Sequence, residues 1–217
     1  MRVISVDLQD QNRFDAQIAE AVEALRAGKI IVYPTDTLYG LGCDALNERA
    51  VKMVQKIKKS VLGKPLSVMV KSVEEIMKYA FLSAKHKEVL NELLPGAFTF
   101  IMPGAKKLSE VVIGDTGTVG IRVPDNIVTR NLLEHFENPI ITTSVSIGGA
   151  EPLNDPFKIV DAFSGEKYLP DMLLDAGRIK DAHPSIVVDL STSRPRILRT
   201  STMGVQETLA LLTKLSV

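Results

Sequence analysis

Apolar residues recur along this chain at two spacings, and the switching between them predicts strands interleaved with helices. Near the start Val3, Ile4, Val6 and Leu8 are interleaved with polar residues. Between Asp15 and Gly28 the residues Ile18, Ala21, Val22 and Leu25 fall three and four apart, which predicts a helix stopped at Gly28. A strand over residues 30–33 follows directly. Asn47 can cap a second helix with Val51, Val54 and Ile57 facing inward and Lys52, Lys56 and Lys59 on another face. Residues 66–70 then read as a strand.

Ser72 with Glu75 forms a capping-box pattern before a short helix, and Val89, Leu90, Leu93 and Leu94 mark another that runs to the Pro95-Gly96 break. Strands are predicted over 98–102 and 119–123, a helix over 127–136 and a strand over 140–145. Asp155-Pro156 reads as a cap followed by proline at the first helical position. Strands over 172–174, 186–190 and 196–199 precede a final helix carrying Val205, Leu209 and Leu212. The interleaving, with no fixed-period repeat or low-complexity linker, predicts an α/β chain of the α+β type: one mixed sheet covered by helices. Two strands joined by few residues near the end imply some antiparallel pairing.

Composition narrows the class. The chain has 217 residues, 45% of them apolar and 24% charged, so one packed core is expected over 1–217, with the core motifs at about 15–200. Lysine plus arginine equal aspartate plus glutamate at 26 each, so no global field draws the protein to nucleic acid or anionic membrane, and any basic site must be local. The N-terminus lacks the apolar run of a signal peptide, and no segment approaches the ~18–20 apolar residues of a membrane span. A cytoplasmic protein without a membrane partner is expected. Cys43, the only cysteine, can form neither an internal disulfide nor a structural zinc site.

Four polar clusters could carry chemistry. In residues 33–42 (YPTDTLYGLG), two threonine hydroxyls and Asp36 follow an apolar strand, and glycines allow close backbone approach. That segment is either a ligand loop or a plain turn. Lys52, Lys56, Lys58, Lys59 and Lys64 form either a solvated face or a set of ammonium groups aimed at phosphates from the Gly63 loop. Neither the glycine spacing nor the residue after Lys64 fits a Walker loop. Arg122 sits inside an apolar strand over residues 118–124 (TVGIRVP), where it needs either a structural ion pair or a ligand carboxylate. Finally, Thr142, Ser144 and Ser146 alternate along a strand end and can point into one cavity, unless the segment is an ordinary strand running into a glycine turn. The histidines at 86, 135 and 183 are scattered, which supports neither a zinc site nor a catalytic triad.

Taken together, residues 31–45 (IVYPTDTLYGLGCDA), Lys64-Pro65-Leu66, Pro95-Gly96-Ala97-Phe98-Thr99, Gly120-Ile121-Arg122-Val123-Pro124 and Pro184-Ser185-Ile186-Val187-Val188-Asp189 resemble the YrdC/YciO family in order and spacing. The resemblance implies a single-domain YrdC-like fold, a twisted mixed β-sheet flanked by helices around a basic cavity. It also implies a synthase that condenses L-threonine, bicarbonate and ATP, the ATP accompanied by Mg2+, into threonylcarbamoyl-AMP and pyrophosphate for threonylcarbamoyladenosine in tRNA. By matching motifs, Thr37, Arg122, Ser144 and Ser185 are implied threonine contacts, and Lys58, Lys64, Thr118, Ser146, Asn154 and Arg199 implied ATP contacts. Lys58, Lys64 and Arg122 would carry catalysis, with no metal held by the protein itself.

The chain departs from the family pattern at several places. The Lys-x-Arg pair falls on Lys58 and Ser60, and the Ser-x-Asn pair on Ser144 and Ser146. Met69 stands where a histidine is common, and a glycine expected after the last arginine is replaced in Leu198-Arg199-Thr200-Ser201. YciO-like members also lack these pairs. That branch implies the alternative of a nucleotide- or double-stranded-RNA-binding protein without synthase activity. The chain ends soon after its last helix, so no additional C-terminal domain is expected.

Overall fold

The computed structural model describes residues 1–60, 63–201 and 205–216. In chain order the elements are β1 (Arg2–Ser5), α1 (Gln11–Arg26), β2 (Ile31–Tyr33), β3 (Gly40–Gly42), α2 (Glu48–Lys58), β4 (Ser67–Met69), α3 (Val73–Ile76), α4 (Ala84–Leu93), β5 (Phe98–Pro103), α5 (Glu110–Ile113), β6 (Thr118–Arg122), α6 (Ile127–Phe136), β7 (Ile140–Ser144), α7 (Pro156–Ala162), β8 (Met172–Asp175), β9 (Ile186–Asp189), β10 (Arg196–Arg199) and α8 (Val205–Leu215).

Helix starts follow side-chain capping. Asp10 accepts from Arg13 N, so α1 begins a turn earlier than its apolar spacing predicts. Asn47 caps α2 through Ala50 N, Asn126 caps α6 through Val128 N and Thr129 N, and Asp155 caps α7 with Pro156 inside its first turn. The capping box at Ser72 fails in part: Ser72 is the N-cap residue of α3, yet its side chain makes no capping bond. In α8 Leu211 and Leu215 are buried, while Leu209, one of the residues that marked this helix in the sequence, is exposed; the side chain of Val205 lies outside the described residues. Two elements escape the hydrophobic pattern altogether: β3 is three residues long with glycine at both ends, and α5 is a single turn.

Among the described residues ten strands form one mixed sheet in the order β1-β8-β2-β3-β7-β4-β6-β5-β9-β10. The pairs β1/β8, β2/β8, β4/β6 and β5/β9 run parallel. The pairs β2/β3, β3/β7, β4/β7, β5/β6 and β9/β10 run antiparallel, the last as the short connection predicts.

Side chains alternate across the sheet, and the two faces differ sharply. One face carries Val32, Leu41, Val68, Phe100, Ile121, Ile141, Leu173 and Val188, packed against Val51, Val54 and Ile57 of α2 and against apolar residues of α3, α4, α5, α7 and α8. On the other face Ile4, Ile31, Tyr33, Met69, Ile140, Met172 and Leu174 pack against α1 and α6. Further along that second face β7, β4, β6 and β5 present Thr142, Ser67, Gly120 and Ile101 as register neighbours in one row. This polar stretch becomes the floor of a cavity. Among the described residues, no helix is long and apolar enough to cross a membrane.

Tyr33 explains why β3 reads Gly-Leu-Gly. Its buried ring lies across the strand, where a Cβ on Gly40 would meet it at 2.6 Å, and its hydroxyl donates to Ile141 O at 3.0 Å. At Gly42 a Cβ would sit 1.8 Å from Ile141 O, a backbone atom that cannot move aside. Gly42→Ala should therefore destabilise the protein by about 3 kcal/mol or more. Gly165→Ala, which meets nothing within 4 Å but has a φ of +82°, should cost about 1 kcal/mol. Urea-unfolding midpoints of the two variants check the order.

Candidate functional site

The second face of the sheet opens into a cavity of about 290 Å³. Its floor comes from β4, β5, β6, β7 and β9 through Ser67, Thr99, Gly120, Thr142 and Val187, and the loop between β2 and β3 covers one side. Seven threonine and serine hydroxyls take part in the lining besides Thr35: Thr37, Ser67, Thr99, Thr142, Thr143, Ser144 and Ser185. Arg122 and Arg199 supply the charged groups among the lining residues.

The β2–β3 loop is fixed by its own sequence. Thr35 Oγ1 accepts from Thr37 N at 3.1 Å and Leu38 N at 3.2 Å and donates to Leu38 O at 2.6 Å, a side-chain-closed turn that sets Asp36 and Thr37 in place. Arg122, only 7% exposed, crosses to this turn from the end of β6. One of its terminal nitrogens donates both to Asp36 Oδ1 and, at 2.8 Å, to Thr37 Oγ1. Arg122 Nε and Asp36 Oδ2 are buried with no hydrogen-bond partner among the described residues. Sequence left open whether Arg122 makes a structural ion pair or grips a ligand. The ion pair exists, and the same guanidinium also lines the cavity.

Across the cavity Arg199 Nε donates to Ser185 O at 2.7 Å and its terminal nitrogen donates to Ser185 Oγ at 3.0 Å. Ser185 Oγ in turn lies 2.9 Å from Thr99 Oγ1. Desolvation, and secondarily the like charge of Arg122, holds the pKa of Arg199 below the usual arginine value. The two guanidinium groups thus share one field.

Of the residues singled out from sequence, Thr37, Arg122, Ser144, Ser185 and Arg199 converge on the cavity wall. Thr35 and Thr142, from the polar clusters read in the sequence, line it as well, whereas Lys58, Lys64, Thr118, Ser146 and Asn154 do not. Lys58 donates at 2.6 Å to both Ser144 O and Ser146 Oγ, which ties the end of α2 to the segment after β7. Ser146 therefore does not join Thr142 and Ser144 in the wall: β7 ends at Ser144, the strand alternation stops there, and the hydroxyl accepts from Lys58. Lys64 is exposed, immediately before the lining residues Pro65, Leu66 and Ser67, on a loop anchored by Leu66 N to Val112 O at 2.8 Å. Thr118 lies at the far end of β6 and bonds Thr116 at 2.7 Å, while Asn154 donates to Ile179 O at 3.0 Å.

The remaining lysines of the run are engaged with neighbours. Lys52 faces Glu48, Lys59 pairs with Glu166 at 2.9 Å, and Lys56 sits over the Tyr168 ring. Sequence reasoning passed over Ser67 and Thr143 as wall residues. The polar member of each strand's alternation, set opposite an apolar one, was the available signal for Ser67. No group of three or more histidine, cysteine, aspartate or glutamate side chains able to hold a metal occurs among the described residues.

Burial lowers the Lys58 pKa from 10.5 to about 8. The folded chain therefore binds fewer protons than the unfolded chain between those values, and stability rises with pH there. The contribution is full above pH 10.5, declines as pH falls toward 8 and is absent below. Urea midpoints measured from pH 7 to 10.5 should show this rise in the wild-type protein, and Lys58→Met should flatten it.

The sequence and the fold are similar to those of known proteins. The Sua5/YciO/YrdC profile, described as "Telomere recombination", matches residues 23–201. The protein named "Uncharacterized protein YciO" of Escherichia coli K12 is 32% identical over 184 residues, covering 84% of this chain and 87% of its own. Human threonylcarbamoyl-AMP synthase is 34% identical over 178 residues, 79% of this chain and 62% of the human one. The crystal structure of Pyrococcus abyssi Sua5 complexed with L-threonine superposes with a TM-score of 0.89 at 26% identity, covering 99% of this chain and 62% of Sua5. The chain thus spans about three fifths of the length of these last two proteins.

Proposed function

The chain belongs to the Sua5/YciO/YrdC family, and from that premise we propose that it is a threonylcarbamoyl-AMP synthase, joining L-threonine, bicarbonate and ATP with release of pyrophosphate and water. The observation that carries the reading is Arg122: a buried guanidinium, fixed on one side by Asp36 and Thr37, that still faces a hydroxyl-lined cavity. In this reading the terminal nitrogen not committed to Asp36 and Thr37 would donate to a ligand carboxylate. The hydroxyls of Thr37, Ser144 and Ser185 would orient the rest of a small polar amino acid.

At about 290 Å³ the cavity lies just below the ~300–1,000 Å³ range of small-molecule sites, so an amino acid fits inside and a nucleotide would project from the mouth. Arg199, Lys58 and Lys64 are then the cations nearest the projecting phosphates. In the proposed reaction the amino group of threonine gains carbon dioxide from bicarbonate, with loss of water. The resulting carbamate oxygen attacks the α-phosphorus of ATP, and pyrophosphate leaves. The residues do no covalent chemistry. They position the reactants and offset charge on the departing pyrophosphate. Magnesium enters with ATP, held by phosphate oxygens and water.

A second reading, nucleotide binding without synthesis, is favoured by one observation: Lys58 is already spent on Ser144 and Ser146, and Ser60 supplies no charge beside it. The balanced net charge speaks against broad RNA affinity in either case.

Purified protein given ATP, bicarbonate and each amino acid in turn distinguishes the readings. Pyrophosphate release that depends on threonine is the expected result, and ATP binding without such release favours the second reading. Arg122→Gln should lower kcat/KM for threonine by about 10²–10³ while leaving the KM for ATP within about threefold.

A further inference from the structure

The two guanidinium groups of the cavity are compensated very differently. Arg122 is paired with a buried carboxylate, Asp36, whose side chain is 12% exposed. Arg199 bonds only to the neutral oxygens of Ser185, and no ion pair involving it occurs among the described residues. The inner end of the cavity therefore carries close to zero net charge, and the end at Arg199 carries about one positive charge. Asp36 is absent from the cavity lining, since only Thr37 and Arg122 of this cluster present atoms there. Whatever Asp36 does to a ligand, it does through Arg122.

We propose that Asp36 is a positioning residue that sorts the two substrates of the proposed reaction. By neutralising Arg122 it reserves the inner site for a singly charged carboxylate on a zwitterionic amino acid, and directs the polyphosphate to Arg199. The physical reason is Coulombic. A triphosphate gains from an uncompensated cation in proportion to its several charges, but gains little from an ion pair whose field largely cancels. A carboxylate needs directed N–H donors more than net charge, and Arg122, in the cavity wall, would supply them. Asp36 also restrains the guanidinium through one terminal nitrogen. The arrangement would keep ATP, which bears more negative charge than the amino acid, from occupying the amino-acid site. This inference rests on the proposed synthase reading for the identity of the amino acid, but not for the sorting of charges.

The test is calorimetric titration of the full chain with inorganic tripolyphosphate and, separately, with L-threonine. Asp36→Asn keeps the shape and an acceptor for Arg122 while removing the charge. It should bind tripolyphosphate at least about tenfold more tightly than wild type, and tripolyphosphate should then displace threonine. Asp36→Glu, which restores the charge, should return both behaviours toward wild type, a rescue that a purely structural role would not produce. Unchanged tripolyphosphate affinity in folded Asp36→Asn overturns the proposal. If that variant does not fold, Arg199→Gln decides: sorting requires tripolyphosphate binding to weaken by at least about tenfold more than threonine binding, and equal loss of both overturns it. Threonine that fails to bind wild-type protein contradicts the proposed substrate, and the tripolyphosphate titrations still decide the sorting.

Discussion

A charged guanidinium buried at the end of an apolar strand is the constraint from which the site follows. Left alone, Arg122 would carry a heavy desolvation cost, so it needs a carboxylate. The one it finds, Asp36, lies 86 residues earlier in the chain, after β2. Strands β2 and β6 are four steps apart in the sheet, roughly 19 Å if the sheet were flat with strands about 4.8 Å apart. The pair can close only because the Thr35 turn carries the loop over β3 toward β6 and the sheet twists beneath it. The ion pair thus joins the two halves of the sheet above one face, and the enclosed space is the cavity.

The rest of the lining follows from strand periodicity. Apolar residues of β4 to β7 and β9 alternate with Ser67, Thr99, Gly120, Thr142 and Val187, so one face makes a core and the other makes a polar floor with a few apolar members. Tyr33 and the two glycines it lies against keep β3 low enough for β7 to pass close by. A site made of fixed hydroxyls and guanidinium groups is suited to holding reactants in line rather than forming a bond to them. Lys58 adds a cation whose hydrogen bonds also secure the segment following β7, which couples the cavity edge to the end of α2.

Much of this was legible in the residues alone. The helices could be read because their apolar spacing and caps agree, as at Asn47 and Asp155. The convergence of Thr37, Arg122, Ser144, Ser185 and Arg199 came from motif resemblance, because nothing local ties positions so far apart together. What sequence missed has physical causes. A three-residue strand such as β3 is too short to show a period, and its glycines read as a turn. Ser146 follows the alternation on paper, but its strand has already ended. Lys58 was singled out by resemblance as an ATP contact, and only the tertiary packing of α2 against the end of β7 shows that it is half-buried and bonded to Ser144 and Ser146. The side-chain partner of Arg122 could not be identified either, since Asp36 was one of 26 acidic residues in the chain.

A crystal structure with L-threonine and a non-hydrolysable ATP analogue bound tests the central claim most directly. The account places the threonine carboxylate within hydrogen-bond distance of Arg122, with the Asp36 contact intact, and the phosphates at the mouth beside Arg199. Phosphates seated on Arg122, or both ligands bound outside the cavity between the β2–β3 loop and the sheet, would contradict it.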